Sequence, residues 1–165
     1  MYKARLFATR HSRAYERFYS FAEPIILSIM GALSRLSGGK LDQPMTWLER
    51  QTKETLFDCK MCGNCVLSST GMTCPMNCPK TIRNGPCGGV RDNGHCEVKP
   101  EMRCVWVEAW DGASRMRGGN KIHEVQFATN KAHLGTSAWL RMLKEREQAS
   151  AEAQAKLNAP SQSSN

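Results

Sequence analysis

Residues 59–80 read CKMCGNCVLSSTGMTCPMNCPK, a run with three cysteines at C-x2-C-x2-C spacing (Cys59, Cys62, Cys65) and two more, Cys74 and Cys78, each followed by proline. Cys87, Cys96 and Cys104 follow, and all eight cysteines of the 165-residue chain fall between Cys59 and Cys104. Thiols this dense serve as a disulfide framework, a zinc site or iron–sulfur ligands. Zinc usually recruits C-x2-C pairs from two loops, often with histidine. A tandem triplet with a later Cys-Pro step is instead how bacterial ferredoxins wrap a short turn around a cubane. The spacing departs from theirs, because eight residues separate Cys65 from Cys74. The pattern is ferredoxin-like without being a ferredoxin's. Eight thiols match two four-cysteine sites, and zinc remains open beside iron–sulfur.

A disulfide framework would call for secretion. The N-terminus is basic (Lys3, Arg5, Arg10, Arg13), and an apolar run, PIILSIMGAL, occupies residues 24–33. Glu16 and Glu23 interrupt the approach, no small-residue cleavage site follows, and the run falls short of the roughly 20 apolar residues of a membrane span. The expectation is a cytoplasmic chain with no transmembrane segment, whose thiols are reduced and bind metal.

The length suits one domain with tails, since a domain takes roughly 100 to 150 residues. A catalytic barrel of roughly 250 residues does not fit. Net charge is +8, and basic residues stand near aromatics in RAYERFY at 13–19 and WLR at 139–141. They are otherwise spread along the chain, with no zinc-finger spacing or basic helix. A solvated surface, or a complement to an acidic partner, suits this charge better than nucleic acid, and a basic zinc module that binds nucleic acid is the outlying alternative.

Turn-forming stretches, NGPCGG at 84–89 and DNGHC at 92–96, surround the later cysteines. Their glycines and asparagines permit positive φ, so they serve either as nests that aim N–H groups at an anionic cluster or as ordinary surface turns. His95 is a further donor beside Cys96, although eight thiols already fill two sites.

The flanks read as helices. Phe18, Phe21, Ala22, Ile25, Ile26, Ile29 and Leu33 recur at helical steps over Ala14–Leu36, with a kink or fresh start expected at Pro24 and an end at Ser37-Gly38-Gly39. Their apolar stripe either packs on the cysteine module or docks elsewhere. A second helix should begin near Pro44 and carry Trp47, Leu48 and Leu56. A third should begin at Pro100–Glu101 and carry Cys104, Val107 and Trp110, with Trp106 beside them. A fourth should run from Thr136 or Ser137 through Trp139, Leu140 and Leu143. The expected fold class is a small, metal-stabilised, irregular cysteine-rich module flanked by α-helices, with little or no β-sheet. Its parts are an amphipathic helical arm (1–43), the cysteine-rich module (44–112), a basic extended arm (113–134), a C-terminal helix (135–158) and a disordered tail (159–165). A module so small has little core of its own, so metal would supply much of its folding free energy.

The triplet, CPMNCPK, RNGPCGG, GHCEVKP and CVWVEAW occur in that order. Together they resemble the cysteine-rich C-terminal domain family of methylenetetrahydrofolate reductase, also found as the small partner subunit of reductases in acetogenic bacteria. The likeness is strong over residues 47–110 and looser over the N-terminal helix and the GTSAWL segment. It implies an accessory iron–sulfur subunit carrying two [4Fe-4S] clusters on Cys59, Cys62, Cys65, Cys74, Cys78, Cys87, Cys96 and Cys104. That subunit would relay electrons from a redox donor protein to the flavin of a partner reductase barrel in one-carbon metabolism. The triplet would share one site with a distant cysteine and the other four would form the second. Unlike the fused members, this chain has no barrel. It also shows no glycine fingerprint, nucleophile triad or paired carboxylates, so catalysis by it alone is not expected. A zinc-bound structural or docking module of the same enzyme is the alternative.

Overall fold

A computed structural model describes residues 2–38, 40 and 42–158. Five helices carry it: α1 (Tyr2–Arg10), α2 (Ser12–Ser37), α3 (Asp42–Phe57), α4 (Val105–Arg115) and α5 (Ala138–Asn158). Short 3-10 turns lie at Pro75–Asn77, Gly119–His123 and Lys131–His133. Among the described residues there is no sheet, and extended pairing is confined to two isolated bridges, Val90–Cys96 and His95–Arg103. The helical, sheet-poor class expected from the sequence is therefore observed. The tail expected at 159–165 lies outside the described residues, as does Gly39 of the expected helix stop.

The long helix α2 runs through Pro24 without a break. Proline removes one donor, that to the carbonyl of residue 20, and Ser20 is an exposed residue. The helix ends at Gly38, whose φ of 58° makes a left-handed cap with its N–H donated to Ser34 O. Its apolar stripe does not face inward. Phe18, Phe21, Ile25, Ile29 and Leu33 are exposed, and the buried positions are Ser12, Leu27, Met30 and Gly31. Helix α5 packs on α2 at Gly31, where a Cβ would be in ordinary van der Waals contact with Leu143 Cδ1 at 3.5 Å. Ion pairs Arg35–Glu147 and Arg146–Glu23 tie the same two helices along their rims.

The helix expected from Pro100 starts at Val105 instead. Residues 94–104 turn back on themselves, with Cys104 N–H donating to Gly94 O (2.9 Å) and Cys96 N–H to Met102 O (2.9 Å), which leaves Cys104 extended as the N-cap of α4.

Two apolar clusters fill the interior. Ala8, Phe57, Leu67, Met72, Cys74 and Met116 form one, edged by Tyr15, Leu56 and Met76. Cys104, Trp106 and Ala109 form the other, with Ile82, Cys87, Val90, Val107 and Ile122 packed against them. Helix α4 is stitched to the N-terminal helices by Ser12 Oγ donating to Gly112 O (2.7 Å) and by Glu16, whose carboxylate accepts the N–H groups of Arg117 and Gly118 (both 2.8 Å). The loop at Gly71 crosses α4 at Gly112 so closely that a Cβ on Gly71 would lie 2.8 Å from Gly112 C. Only paired glycines permit this crossing. No described helix is long and apolar enough to cross a membrane.

Candidate metal centre

Cys59, Cys62, Cys65 and Cys74 line one recess, together with Glu49 and Lys53 of α3, Arg83, and Thr136 and Ala138 at the start of α5. Cys74, the later cysteine of this recess, belongs to the first apolar cluster and stands just before the turn at Pro75–Asn77.

The loop that presents the triplet is held in an unusual backbone. Met61 (φ 44°) and Gly63 (φ 69°) are left-handed, and a Cβ at Gly63 would stand 2.7 Å from His133 Cβ and 2.8 Å from Thr136 Oγ1. Met61 N–H donates to Cys59 Sγ (3.3 Å), and Met61 O accepts Gly135 N–H (2.8 Å). Asn64 knots the centre of the loop. Its amide donates to Cys62 O (2.8 Å), its carbonyl O accepts Arg83 Nη2 (2.7 Å), and its Oδ1 accepts Arg141 Nη1 (2.5 Å). The segment after Lys131 and the helix α5 therefore buttress the thiol loop from behind.

Beneath the thiols lies a buried polar network. Lys53 Nζ bonds Glu49 Oε1 at 2.5 Å, with side chains only 6% and 1% exposed. Glu49 Oε2 also accepts Ser137 Oγ and, at 3.4 Å, Trp139 N–H, while Lys53 sits 4.7 Å over the Trp139 ring. Burial alone would lower the pKa of Lys53, but the negative charge of Cys65 and Glu49 outweighs it and holds the ammonium above its ordinary range. Burial pushes the hydroxyl of Tyr19, on α2, up, partly offset by Lys53. The Cys74 thiol is pushed up to about 12, by burial first and then by the charge of Cys59. Burial also raises Cys59, against the Met61 N–H that favours its thiolate. At both positions burial favours the protonated thiol.

The chemistry of this donor set fits a thiolate-ligated metal group. Cys62 and Cys74 are buried, Cys59 is half-buried, and Cys65 is exposed, so one edge of the recess faces solvent. Among the described residues, no three Cys, His, Asp or Glu side chains converge on a single-ion centre.

The remaining cysteines lie elsewhere. Cys87 and Cys104 share the second apolar cluster, and Cys96 is joined to them through its bridge with Val90 and the turn at 94–104. Gly89 N–H donates to Cys87 Sγ at 3.4 Å. Cys78 is buried behind the Pro75–Asn77 turn, and Thr81 N–H donates to its carbonyl. His95 turns outward, hydrogen-bonded to Asn93. Trp106 is buried with its indole N–H on Ile82 O (3.2 Å), whereas Trp110 meets His123 edge-on and stays part-exposed.

A family model described as methylene-tetrahydrofolate reductase C terminal matches residues 39–132, a span that holds every cysteine. The chain belongs to that family. The reductase C-terminal match begins after α2, so the N-terminal helices α1 and α2 lie outside it. No curated protein and no solved structure matches the chain. Glu49, Lys53, Asn64 and Arg83 were not singled out by the sequence. The only available signal was the i,i+4 spacing of Glu49 and Lys53, which ordinarily marks a surface pair.

Proposed function

We propose that this chain is an accessory iron–sulfur subunit of a flavin-dependent methylenetetrahydrofolate reductase, passing single electrons toward the flavin of its partner. The observation that carries this is the recess ringed by Cys59, Cys62, Cys65 and Cys74 inside a chain of the reductase C-terminal family. Cys78, Cys87, Cys96 and Cys104 are assigned to a second centre, three of them already associated with the second apolar cluster. Iron–sulfur clusters supply one-electron chemistry, and a flavin can collect two electrons and deliver a hydride.

The chain's own residues suit that role in three ways. Met61 and Asn64 fix the triplet backbone, so the thiols need little reorganisation when the redox state changes. Lys53 and Arg83 place positive charge beside an anionic centre. Cys65 leaves one edge open, where a partner could approach. Much of the folding free energy of the 59–104 segment then comes from metal, because its backbone is mostly irregular.

Anaerobic purification with metal analysis and visible spectra before and after dithionite tests this. About eight irons per chain and a broad absorption that bleaches on reduction are expected, along with co-purification with a flavoprotein. Zinc in a colourless protein would overturn the electron-transfer role and leave a structural, docking subunit.

A further inference from the structure

Arg83 stands out among the cations of the molecule. It lines the thiol recess, yet its guanidinium is held by backbone alone, with Nε donating to Phe127 O (2.8 Å) and Nη2 to Asn64 O (2.7 Å). Its Nη1 is buried with no hydrogen-bond partner. Among the described residues no carboxylate pairs with it. Lys53, the other cation of the recess, is already matched by Glu49. The recess therefore carries one uncompensated positive charge and one unused buried donor. Arg83 as a whole is half-buried, but an orphaned buried N–H costs free energy.

We infer that Arg83 is the counter-cation of an anionic centre held by Cys59, Cys62, Cys65 and Cys74, and that it sets how readily that centre accepts an electron. The inference rests on the iron–sulfur assignment above. Four thiolates make such a centre negative, and each electron added makes it more so. A fixed cation at its wall stabilises the reduced form over the oxidised one. The two backbone carbonyls hold the guanidinium in position before the centre is loaded. Arg83 is a positioning and tuning residue here, not a ligand.

The test is a spectroelectrochemical titration of the full chain, purified anaerobically, as wild type, Arg83→Gln and Arg83→Lys, with iron counted in each. With iron content unchanged, Arg83→Gln is expected to lower the reduced-to-oxidised ratio at a fixed potential about tenfold, a midpoint shift of about 59 mV for a one-electron couple. Arg83→Lys keeps the charge and should stay within about threefold of wild type. Iron-replete Arg83→Gln with an unshifted midpoint would overturn the role of Arg83 and leave the iron–sulfur assignment intact. Iron-free wild type would overturn the assignment, and the inference with it. Should Arg83→Gln fail to load, Arg83→Met, which also removes the charge, decides: a tenfold drop in the ratio supports the role of charge, and an unshifted midpoint refutes it.

Discussion

Replacing Glu49 by alanine strands a charge. Glu49 is buried on α3, and its carboxylate accepts from Lys53 Nζ, Ser137 Oγ and Trp139 N–H. Without it, the Lys53 ammonium remains in a site where its side chain is 6% exposed. Breaking a buried pair by removing one partner costs about 3–5 kcal/mol. The Lys53–Trp139 contact is present before and after the substitution and offsets nothing, so a loss of about 3 kcal/mol, the lower end of that range, is expected. For a chain of this size each kcal/mol moves the Tm by about 2–4 °C, giving a drop of about 6–12 °C. Far-UV circular dichroism of the metal-loaded protein measures it, with metal content followed in parallel to separate loss of stability from loss of the centre. The double variant Glu49→Gln/Lys53→Met removes both charges and should recover about 2 kcal/mol of the single-variant loss. A Glu49→Ala protein within about 0.5 kcal/mol of wild type, or a double variant no more stable than the single, would refute a buried, mutually dependent pair.

Three further outcomes are expected. Under the proposed assignment, in which the first pair shares one centre and the second spans two, Cys59→Ser/Cys74→Ser should keep about four irons per chain while Cys74→Ser/Cys104→Ser keeps almost none; iron analysis against protein mass checks this. Gly71→Ala should cost about 2–4 kcal/mol in urea unfolding, since its φ is +60° and a Cβ would meet Ala113 N at 2.5 Å, whereas Gly38→Ala, with similar φ and open space, should cost only about 1 kcal/mol. Trp106→Ala should lose about 3–5 kcal/mol and Trp110→Ala under about 1.5 kcal/mol, as read by thermal unfolding, because the first ring is 3% exposed and the second 37%.

What the sequence reveals follows from which interactions are periodic. Helices α2, α3 and α5 are legible because their boundaries carry local signals: Gly38 in left-handed backbone, Pro44 in the first turn of α3, and Ser137 just ahead of α5. The inner face of α3 is not legible. Hydrophobic spacing points to Trp47, Leu48 and Leu56, yet Trp47 and Leu48 are exposed and the buried positions are Glu49, Lys53 and Phe57. Buried charge can be stable only with partners such as Ser137 and Trp139, which lie about ninety residues away, and no local pattern encodes such pairing. The stripe on α2 misleads for the same reason, because periodicity shows that an apolar face exists without saying which side the molecule covers. For the candidate centre, spacing picks out the cysteines, but the gathering of Cys74 with the triplet at one recess depends on how residues 66–73 fold over Phe57 and Met116.

Among the four cysteines of the recess, only Cys65 is exposed. Oxidants arriving from solvent meet that sulfur first, while Cys62 and Cys74 are shielded by packing. Susceptibility to oxidation follows exposure, and the first product, a sulfenic acid, is still reversible. Chemical ageing of the site therefore begins at a single address and advances inward, so an early lesion can be repaired before the buried thiols are lost.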